Sequence, residues 1–423
     1  MSASIRVVAT TVVVLALAAL GPAVAQAKFF GGMVRDVPTR AVGAAAAGTA
    51  RGIQFNADTA SHRANLPYGG GPVLHSNRAH VIFWAPAGSS LAFDPGYQAL
   101  IETFLSDVAD ASHRTTNVYS LSGQYTDSGG PAAYVSTYGG SVIATDPLPP
   151  SGCTEPTATG PGWSVCLTDQ QIESEIEHVI ATNHLPTADG DVYFLVMPNG
   201  MGSCTDAGSS SCALGGSMSG YCGYHSETPG GILYAVIPYN AVRDHCQSDN
   251  PRPNSSTADP TISTISHEHN EMVTDPDGDA WIDARGDEDG DLCLTNFGPR
   301  LSGPAVDSPY AWNETINGGH FFLQEEWSNA QSGCEPRAMP DAVSFGLTRT
   351  PNRHRFVSFT ARGSDPEGRV VAFQWSFGDG RIGSGLRVSH IFQIPGTYRV
   401  MLRSTDSWGN WAFAVKTVRI RTR

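Results

Sequence analysis

Residues 259–276 read DPTISTISHEHNEMVTDP, and this stretch predicts the helix around which the rest of the chain is interpreted. Asp259 and Pro260 provide an N-cap followed by a first-turn proline, and Pro276 limits the far end. His269 falls on the apolar side of this helix, so we expect it in the core or beside the site and not as a metal ligand. At about 100° per residue, that apolar side also carries Ile262, Ile265, Met272 and Val273.

The opposite side of the same helix carries a candidate metal motif. His267 and Glu271 lie four residues apart, so both side chains project from one face and are placed to hold one ion. Glu268, between them, is placed as the general base for a water at that ion. The pattern is H-E-x-x-E, a variant of the H-E-x-x-H metallopeptidase helix with a carboxylate as second ligand. Spacing alone leaves a solvated polar face as the alternative, because four-letter motifs recur by chance.

Further ligands are expected beyond this helix. Glu288 and Asp291 are alternative third ligands for Zn²⁺, and a disulfide at Cys293 would hold their loop in place. His225, in a Cys-Gly-Tyr-His-Ser segment, is placed either to complete the metal site or to stabilise an oxyanion. A surface-loop histidine is the alternative for His225.

Calcium is a second candidate ion because the helix is followed by an acidic run. An EF-hand loop needs Gly at its sixth position. Counted from Asp275 that position is Ala280, and counted from Asp287 it is Leu292, so neither stretch is an EF-hand. A looser Ca²⁺ site stays open, with the candidate ligands Asp275, Asp277, Asp279 and Asp283.

Buried strands and amphipathic helices alternate before this region. One helix is expected to start at Asp94 with Pro95 in its first turn, and another at Thr168 with Gln171 completing a capping box. The alternation predicts an α/β or α+β domain over residues 67–336. Continuous apolar runs predict the buried strands at 81–84, 192–197 and 232–237.

The N-terminus predicts export. Residues 1–27 combine Arg6, a short apolar run and A-x-A cleavage sites, which is typical of a signal peptide. Residues 28–66 show no clear period and are interpreted as a flexible segment or a propeptide. The apolar run is too short to cross a membrane, and no later segment is long enough. We therefore expect a secreted, extracellular protein with no membrane span after signal removal.

Cysteine usage and charge agree with export. The eight cysteines lie between residues 153 and 334, and an even number in an exported chain indicates disulfides. Plausible pairs are Cys153–Cys166, Cys204–Cys212 and Cys293–Cys334. A thiolate metal site is disfavoured because the chain has no CxxC pair. The net charge of −14 argues against binding to nucleic acid or to an anionic membrane.

The last part of the chain changes to strand alternation. Apolar residues occupy alternate positions at 357–361, 373–377, 398–402 and 411–415. With the turn signals between them, these segments predict an all-β, immunoglobulin-like sandwich at 343–423 after a linker at 337–342. Three segments, Trp375–Gly380, His390–Phe392 and Pro395–Tyr398, closely resemble the PKD domain. The resemblance implies an adhesion or spacer module on an exported enzyme.

Segments spread over most of residues 67–336 match one family. They are Gly71–His75 with His80–Trp84, Cys222–His225, Ser266–Glu268 with Glu271 and Asp275–Pro276, Ala280–Asp283 and Glu288–Cys293. Together they resemble bacterial exported relatives of the plant EXORDIUM (phosphate-induced) proteins. The family helix reads H-E-x-x-E and is followed by E-x-x-D-x-C, so the resemblance implies a zincin-like domain. It marks His267, Glu268, Glu271, Glu288 and Asp291.

Two functions are expected from these features. The first is a secreted zinc-dependent, metallopeptidase-like hydrolase, in which His267, Glu271 and either Glu288 or Asp291 hold the ion and Glu268 deprotonates a water. The alternative is a non-catalytic extracellular or cell-wall-associated binding protein with a structural metal site. The expected partners are an extracellular protein, a peptide or a cell-wall polymer, and no nucleic acid.

Overall fold

The computed structural model describes residues 64–155, 162–213, 219–241, 246, 251–294, 296–299, 301, 310–339, 341–351 and 353–421. The predicted signal peptide lies outside these residues, as does nearly all of the 28–66 segment. None of the helices in the described part of the chain has both the length and the apolar character that a membrane span requires.

The larger domain combines short strands with helices. Its described strands are β1 (Asn77–Trp84), β2 (Thr126–Asp127), β3 (Gly130–Pro131), β4 (Ser136–Ala144), β5 (Val165–Thr168), β6 (Asp191–Val196), β7 (Met201–Cys204), β8 (Ser211–Ala213), β9 (Ser219–Tyr221), β10 (Tyr224–Glu227), β11 (Leu233–Ile237), β12 (Glu314–Ile316), β13 (Gly319–Phe321), β14 (Glu326–Ser328) and β15 (Gly333–Glu335). The described helices are α1 (Tyr97–Asp110), α2 (Asp169–Asn183) and α3 (Asp259–Thr274), with 3-10 turns at Val118–Gln124 and Asp291–Cys293.

The central sheet has the order β10-β11-β6-β1-β4 within the described residues. Its strands pair in parallel except for β10, which runs antiparallel to β11 at one edge. The three runs that predict buried strands form β1, β6 and β11, so that prediction is confirmed. Their apolar side chains point alternately to two cores, because successive residues of a strand face opposite sides.

Helices cover both faces of this sheet, as a parallel sheet requires. One core lies under α2 and includes Ile172, Ile176, Ile82 and Leu195. The other lies under α1 and α3 and includes Phe104, Ile262, Ile265, Met272, Phe194 and Ala235. The apolar side of α3 is thus pressed against the sheet, and its opposite side faces the edge strand β10 and the loop after the helix.

The start of α1 corrects the sequence prediction. The helix begins at Tyr97, after Gly96 in the left-handed region at φ 79°, and not at Asp94. The Asp94 carboxylate instead accepts hydrogen bonds from Thr257 at 2.5 Å and from Tyr239 at 2.7 Å. Asp94 therefore binds residues that are distant in the sequence and does not cap α1 as the sequence indicated.

The other two helix starts are closer to expectation. α2 begins with the predicted capping box of Thr168 and Gln171. α3 begins at Asp259, so that this residue is the first helical one and Ala258 is the N-cap. The Asp259 carboxylate still accepts the Ser256 backbone N–H, at 3.1 Å.

The C-terminal part is an antiparallel sandwich, which confirms that prediction. Its strands are β16 (Ala342–Arg349), β17 (Phe356–Ser364), β18 (Val370–Ser376), β19 (Ile382–Ser384), β20 (Arg387–Ile391), β21 (Gly396–Asp406) and β22 (Trp411–Ile420). Two sheets, β16-β17-β20 and β19-β18-β21-β22, enclose a core around Trp375, Phe359 and Leu402. The alternation did not reveal β16, β19 and β20, two of which are short.

Four disulfides cross-link the larger domain. The predicted pairs Cys153–Cys166, Cys204–Cys212 and Cys293–Cys334 are all formed. Cys222–Cys246 is a fourth bridge that the sequence did not indicate.

The sandwich is docked on the larger domain through the turn between β21 and β22. Trp408, in this turn, is 8 % exposed and belongs to the core under α1 and α3. Trp411 stacks on His113 with ring centroids 3.8 Å apart. Within the predicted linker, Ala338 is buried and its N–H donates to Ser120 Oγ at 2.8 Å. These contacts attach the two parts firmly at this end of the sandwich.

Candidate metal centre

The two histidines of α3 lie in different surroundings. His269 is buried in the core, with Nε2 2.8 Å from Asn77 Oδ1 and its ring edge-on to Tyr119 and Phe194. Burial lowers the pKa of His269 to about 3, so the ring is neutral. The prediction that His269 is a core residue is confirmed.

His267, Glu271 and Asp291 converge on one point beneath the surface. His267 Nε2 lies 3.2 Å from Glu271 Oε1 and 3.9 Å from Asp291 Oδ1. Each residue offers a ligand atom within 4.8 Å of the other two. For comparison, ligand atoms around a tetrahedral zinc stand roughly 3.4 Å apart. The side chains of His267 and Glu271 are at most 2 % exposed, so the alternative of a solvated polar face is wrong.

Two neighbours position the His267 ring. Gln324 Nε2 lies 3.1 Å from His267 Nδ1 and donates to the Gly290 carbonyl at 2.7 Å. A Cβ on Gly290 would approach His267 Nδ1 to 2.6 Å and Glu271 Oε1 to 2.8 Å, so only glycine leaves these side chains in place. The ring nitrogen that faces the carboxylates is therefore Nε2.

Glu268 faces the edge strand β10. Its Oε2 lies 3.3 Å from His225 Nδ1, and His225 Nε2 lies 3.8 Å from Glu288 Oε1. His225, Glu268 and Glu271 form a second group with ligand atoms within 4.8 Å of one another. His225 is fully buried in β10, so the surface-loop interpretation of this residue is wrong.

The loop after α3 brings Glu288 and Asp291 to the helix. The Asp291 N–H donates to Glu271 Oε1 at 3.0 Å, and the Trp327 N–H donates to the Asp289 carbonyl at 3.0 Å. The Cys293–Cys334 disulfide follows immediately. Asp291 lies on the His267 side of the site and Glu288 on the His225 side, so both candidate third ligands are present at one centre.

Burial dominates the electrostatics of this centre. It raises the pKa values of the buried carboxyl groups Glu268, Glu271, Glu288 and Asp291 far above their usual range, and mutual repulsion raises them further. Burial also lowers the pKa of His267 and, together with the neighbouring His267, takes that of His225 to about 3. A divalent cation here would offset the repulsion and favour ionised carboxylates beside neutral imidazoles, the forms that ligate metals.

The residues present fit a zinc ion. Within the described residues, His267 Nε2, Glu271 Oε2, Asp291 Oδ1 and both Glu288 carboxylate oxygens are buried without a hydrogen-bond partner. Buried polar atoms are normally satisfied, so several such atoms facing one another point to a bound ion. One imidazole with carboxylate oxygens is a donor set that zinc accepts.

The acidic run proposed for calcium does not converge. Asp275 Oδ1 accepts the N–H groups of Asp279 and Ala280, at 2.9 and 2.7 Å, and so closes a turn. Asp283 pairs with Arg285 at 2.9 Å. Among the described residues, these four carboxylates do not form a group whose ligand atoms all lie within 4.8 Å of one another.

Sequence reasoning missed three residues of the centre. Gln324 holds His267, Asp289 accepts a hydrogen bond from Thr274 Oγ1 at 3.2 Å, and Glu326 is 1 % exposed beside the cluster. Burial raises the pKa of Glu326, with further contributions from Asp289, Glu271 and Asp291. One signal in the sequence could have indicated two of these residues. It is the polar run Gln-Glu-Glu at 324–326, which has apolar residues on both sides and is followed by Cys334.

Comparison with known proteins matches the C-terminal part. Residues 337–421 match the family model of the PKD domain. A microbial collagenase of Vibrio alginolyticus is 30 % identical over 107 residues, which are 25 % of this chain and 13 % of that protein. The chain thus spans only a small part of this relative's length.

Two solved structures also show limited similarity to this chain. The PKD1 domain of Vibrio anguillarum Epp is 24 % identical, covering 21 % of this chain and all of that one, with a TM-score of 0.19. OgpA from Akkermansia muciniphila is 10 % identical, covering 85 % of this chain and 96 % of that one, with a TM-score of 0.20. On the match of the family model, residues 337–421 form a PKD domain.

Proposed function

We propose that this chain is a secreted zinc-dependent hydrolase of the metallopeptidase type, built on a zincin-like domain. His267, Glu271 and Asp291 would hold the ion, with Glu288 as a third carboxylate beside it. The observation that carries the proposal is their convergence within 4.8 Å, with buried and unpartnered ligand atoms among the described residues. The PKD domain and the partial similarity to a collagenase support an extracellular, protease-associated setting.

Glu268 would act as general base. Its Oε1 is buried without a hydrogen-bond partner in the described part of the chain, so it is available to accept a proton from water. His225, 3.3 Å from Oε2, would orient this carboxylate. A bound zinc would supply polarisation of the scissile carbonyl and a lowered pKa for water.

Substitution of Glu268 by Gln tests the proposal. We expect the wild-type chain to carry about one zinc and to hydrolyse at least one of casein, gelatin or a cell-wall peptide. Glu268→Gln should lose about 10²–10⁴-fold in turnover, because it removes a general base but retains the shape and the ion. Glu227→Gln, an exposed acid on the same strand as His225, is the matched control and should retain turnover.

One observation favours the second candidate, a non-catalytic binding protein with a structural ion. Glu268, Glu271 and His225 are all fully buried, so the centre is enclosed in this conformation. In that case zinc would be bound, the wild-type chain would show no turnover on any substrate, and Glu268→Gln would lower stability only.

A further inference from the structure

The charges of this chain are divided unequally between its two parts. Residues 337–421 contain thirteen Arg and Lys residues against five Asp and Glu, whereas the whole chain has 26 against 40. The net charge of −14 therefore conceals a basic PKD domain on an acidic larger domain. The excess of acidic residues, which disfavours anionic partners, belongs to the larger domain.

The few carboxylates of the PKD domain lie mainly at its docked end. Asp341, Asp365 and Asp406 offer oxygens within 4.8 Å of one another, and Glu367 Oε2 accepts the Met339 N–H at 2.8 Å. The remaining acid, Asp379, is 2.7 Å from His390 Nε2. Of the five carboxylates in residues 337–421, only Asp379 lies toward the opposite end of the sandwich.

This opposite end, called here the distal end, consists of residues 350–351 and 353–355, the turn at 392–395 and residues 419–421. Strand β21 runs from Gly396 at the distal end to Asp406 at the docked end. At about 3.3 Å per residue, the two ends are about 33 Å apart. The exposed arginines at or next to the distal end are Arg349, Arg353, Arg355, Arg399, Arg419 and Arg421.

Two of these guanidinium groups are held in place by backbone carbonyls. Arg349 Nη2 donates to the Arg419 carbonyl at 2.8 Å, and Arg355 Nη1 donates to the Gln393 carbonyl at 2.6 Å. Carbonyl acceptors fix the side chains but leave their charge uncompensated. None of the six arginines forms an ion pair with another described residue.

The distal end also has a concave surface. A depression of about 530 Å³ lies between the start of β21 and the end of β22, and Arg419 and Arg421 line it. The other lining residues are Pro395, Gly396, Thr397 and Ile420. Ile394, 68 % exposed, adds an apolar group at the same turn.

We propose that the distal end binds an anionic polysaccharide. The guanidinium fork matches carboxylate geometry and forms charge-assisted hydrogen bonds with it. A depression bordered by two arginines receives a charged sugar residue, and the other arginines follow the chain on either side. A flat bilayer does not enter a depression, so the shape favours a linear polymer over a lipid surface.

Retention of the full-length protein on immobilised polygalacturonate tests this inference. We expect binding that weakens steeply with added salt and is absent on neutral dextran. The double variant Arg419→Gln/Arg421→Gln should bind about tenfold more weakly, because two charge-assisted contacts are lost. Its thermal unfolding should match that of the wild type.

The control variant is Arg362→Gln/Arg369→Gln, which removes the same charge from exposed positions near the docked end. It should retain wild-type binding. Equal losses in both variants would show that only net charge matters and would overturn the proposal. Equal retention on dextran, no retention on polygalacturonate, or binding to phosphatidylglycerol vesicles in place of the polymer would also overturn it.

Discussion

At the residue scale, two histidines two positions apart on α3 have opposite roles. His267 faces a cluster of carboxylates, whereas His269 is packed among aromatic rings and bonded to Asn77. A rotation of about 200° between residues i and i+2 of a helix separates them. The short motif H-E-H therefore contributes His267 to the candidate metal site and His269 to the hydrophobic core.

This division predicts different effects of the two alanine substitutions. His267→Ala should abolish zinc binding, and with it the stabilisation that zinc adds to the folded state. His269→Ala should retain zinc but lower the free energy of unfolding by about 2–4 kcal/mol, because it leaves a cavity and an unpartnered Asn77. Elemental analysis and urea unfolding, with and without chelator, distinguish the two. Loss of zinc in both variants would contradict this assignment.

A titratable group at the domain junction gives a pH prediction. Burial, followed by repulsion from Asp406 and its neighbours, raises the pKa of Asp341 to about 7 from an ordinary value of 3.8. The folded state then holds the proton more tightly than the unfolded state, so this group's contribution to stability is full below about pH 4 and is lost as the pH rises to about 7.

Asp341→Asn should therefore flatten the decline of the melting temperature between pH 4 and pH 7 and become the more stable form above pH 7. Thermal unfolding in the presence of chelator measures this, with Glu177→Gln on the exposed surface of α2 as control. If the melting temperature of Asp341→Asn fell with rising pH as steeply as that of the wild type, the contribution of this group would be refuted.

At the element scale, the site depends on how closely the loop at 288–293 approaches α3. Gly290 has ordinary helical backbone angles, φ −68° and ψ −46°, so glycine is not needed there for its conformational freedom. It is needed because a Cβ would meet His267 and Glu271 at 2.6 and 2.8 Å. The spacing between loop and helix sets the size of the centre.

Gly290→Ala is predicted to weaken zinc binding about 10–100-fold by displacing both side chains. The matched control is Gly333→Ala, where an added Cβ meets no atom within 4 Å. Zinc titration with a competing chelator provides the measurement. An unchanged affinity in Gly290→Ala would mean that His267 and Glu271 do not hold the ion together.

At the scale of the whole molecule, the PKD domain is part of the folded body and not a tethered spacer. Trp408 inserts from the β21–β22 turn into the core under α1 and α3. The same core contains Tyr119, which contacts His269 on the metal helix. The docked end is thus connected by packing to the helix that carries the candidate centre.

Trp408→Ala should accordingly lower the free energy of unfolding by about 3–5 kcal/mol, as expected for a buried aromatic residue. Ile382→Ala in the same domain, where the side chain is 83 % exposed, should change it by no more than about 0.5 kcal/mol. Urea unfolding of the two full-length variants makes the comparison. Similar stabilities would show that the two domains are not packed as described.

Local periodicity in the sequence was sufficient for the elements. The buried strands β1, β6 and β11, the capping box of α2, the helix that carries His267 and the alternation of the C-terminal sandwich all follow from residues within about ten positions of one another. Helical and strand periods are local properties, so apolar spacing reports them directly. The sequence pattern did not predict short strands such as β19 or the start of α1, because these features depend on long-range contacts.

What the sequence by itself determined, then, is which residues are able to bind a metal and which elements carry them. Only the tertiary structure decided that Asp291 lies on the His267 side and Glu288 on the His225 side, that His225 is buried, and that Gln324 and Glu326 join them. These residues come from β10, α3, the loop after it and the segment leading into β14, separated by up to a hundred positions. Their meeting depends on sheet order, a disulfide and close backbone approach, which are properties of the packed chain and leave no period in the sequence.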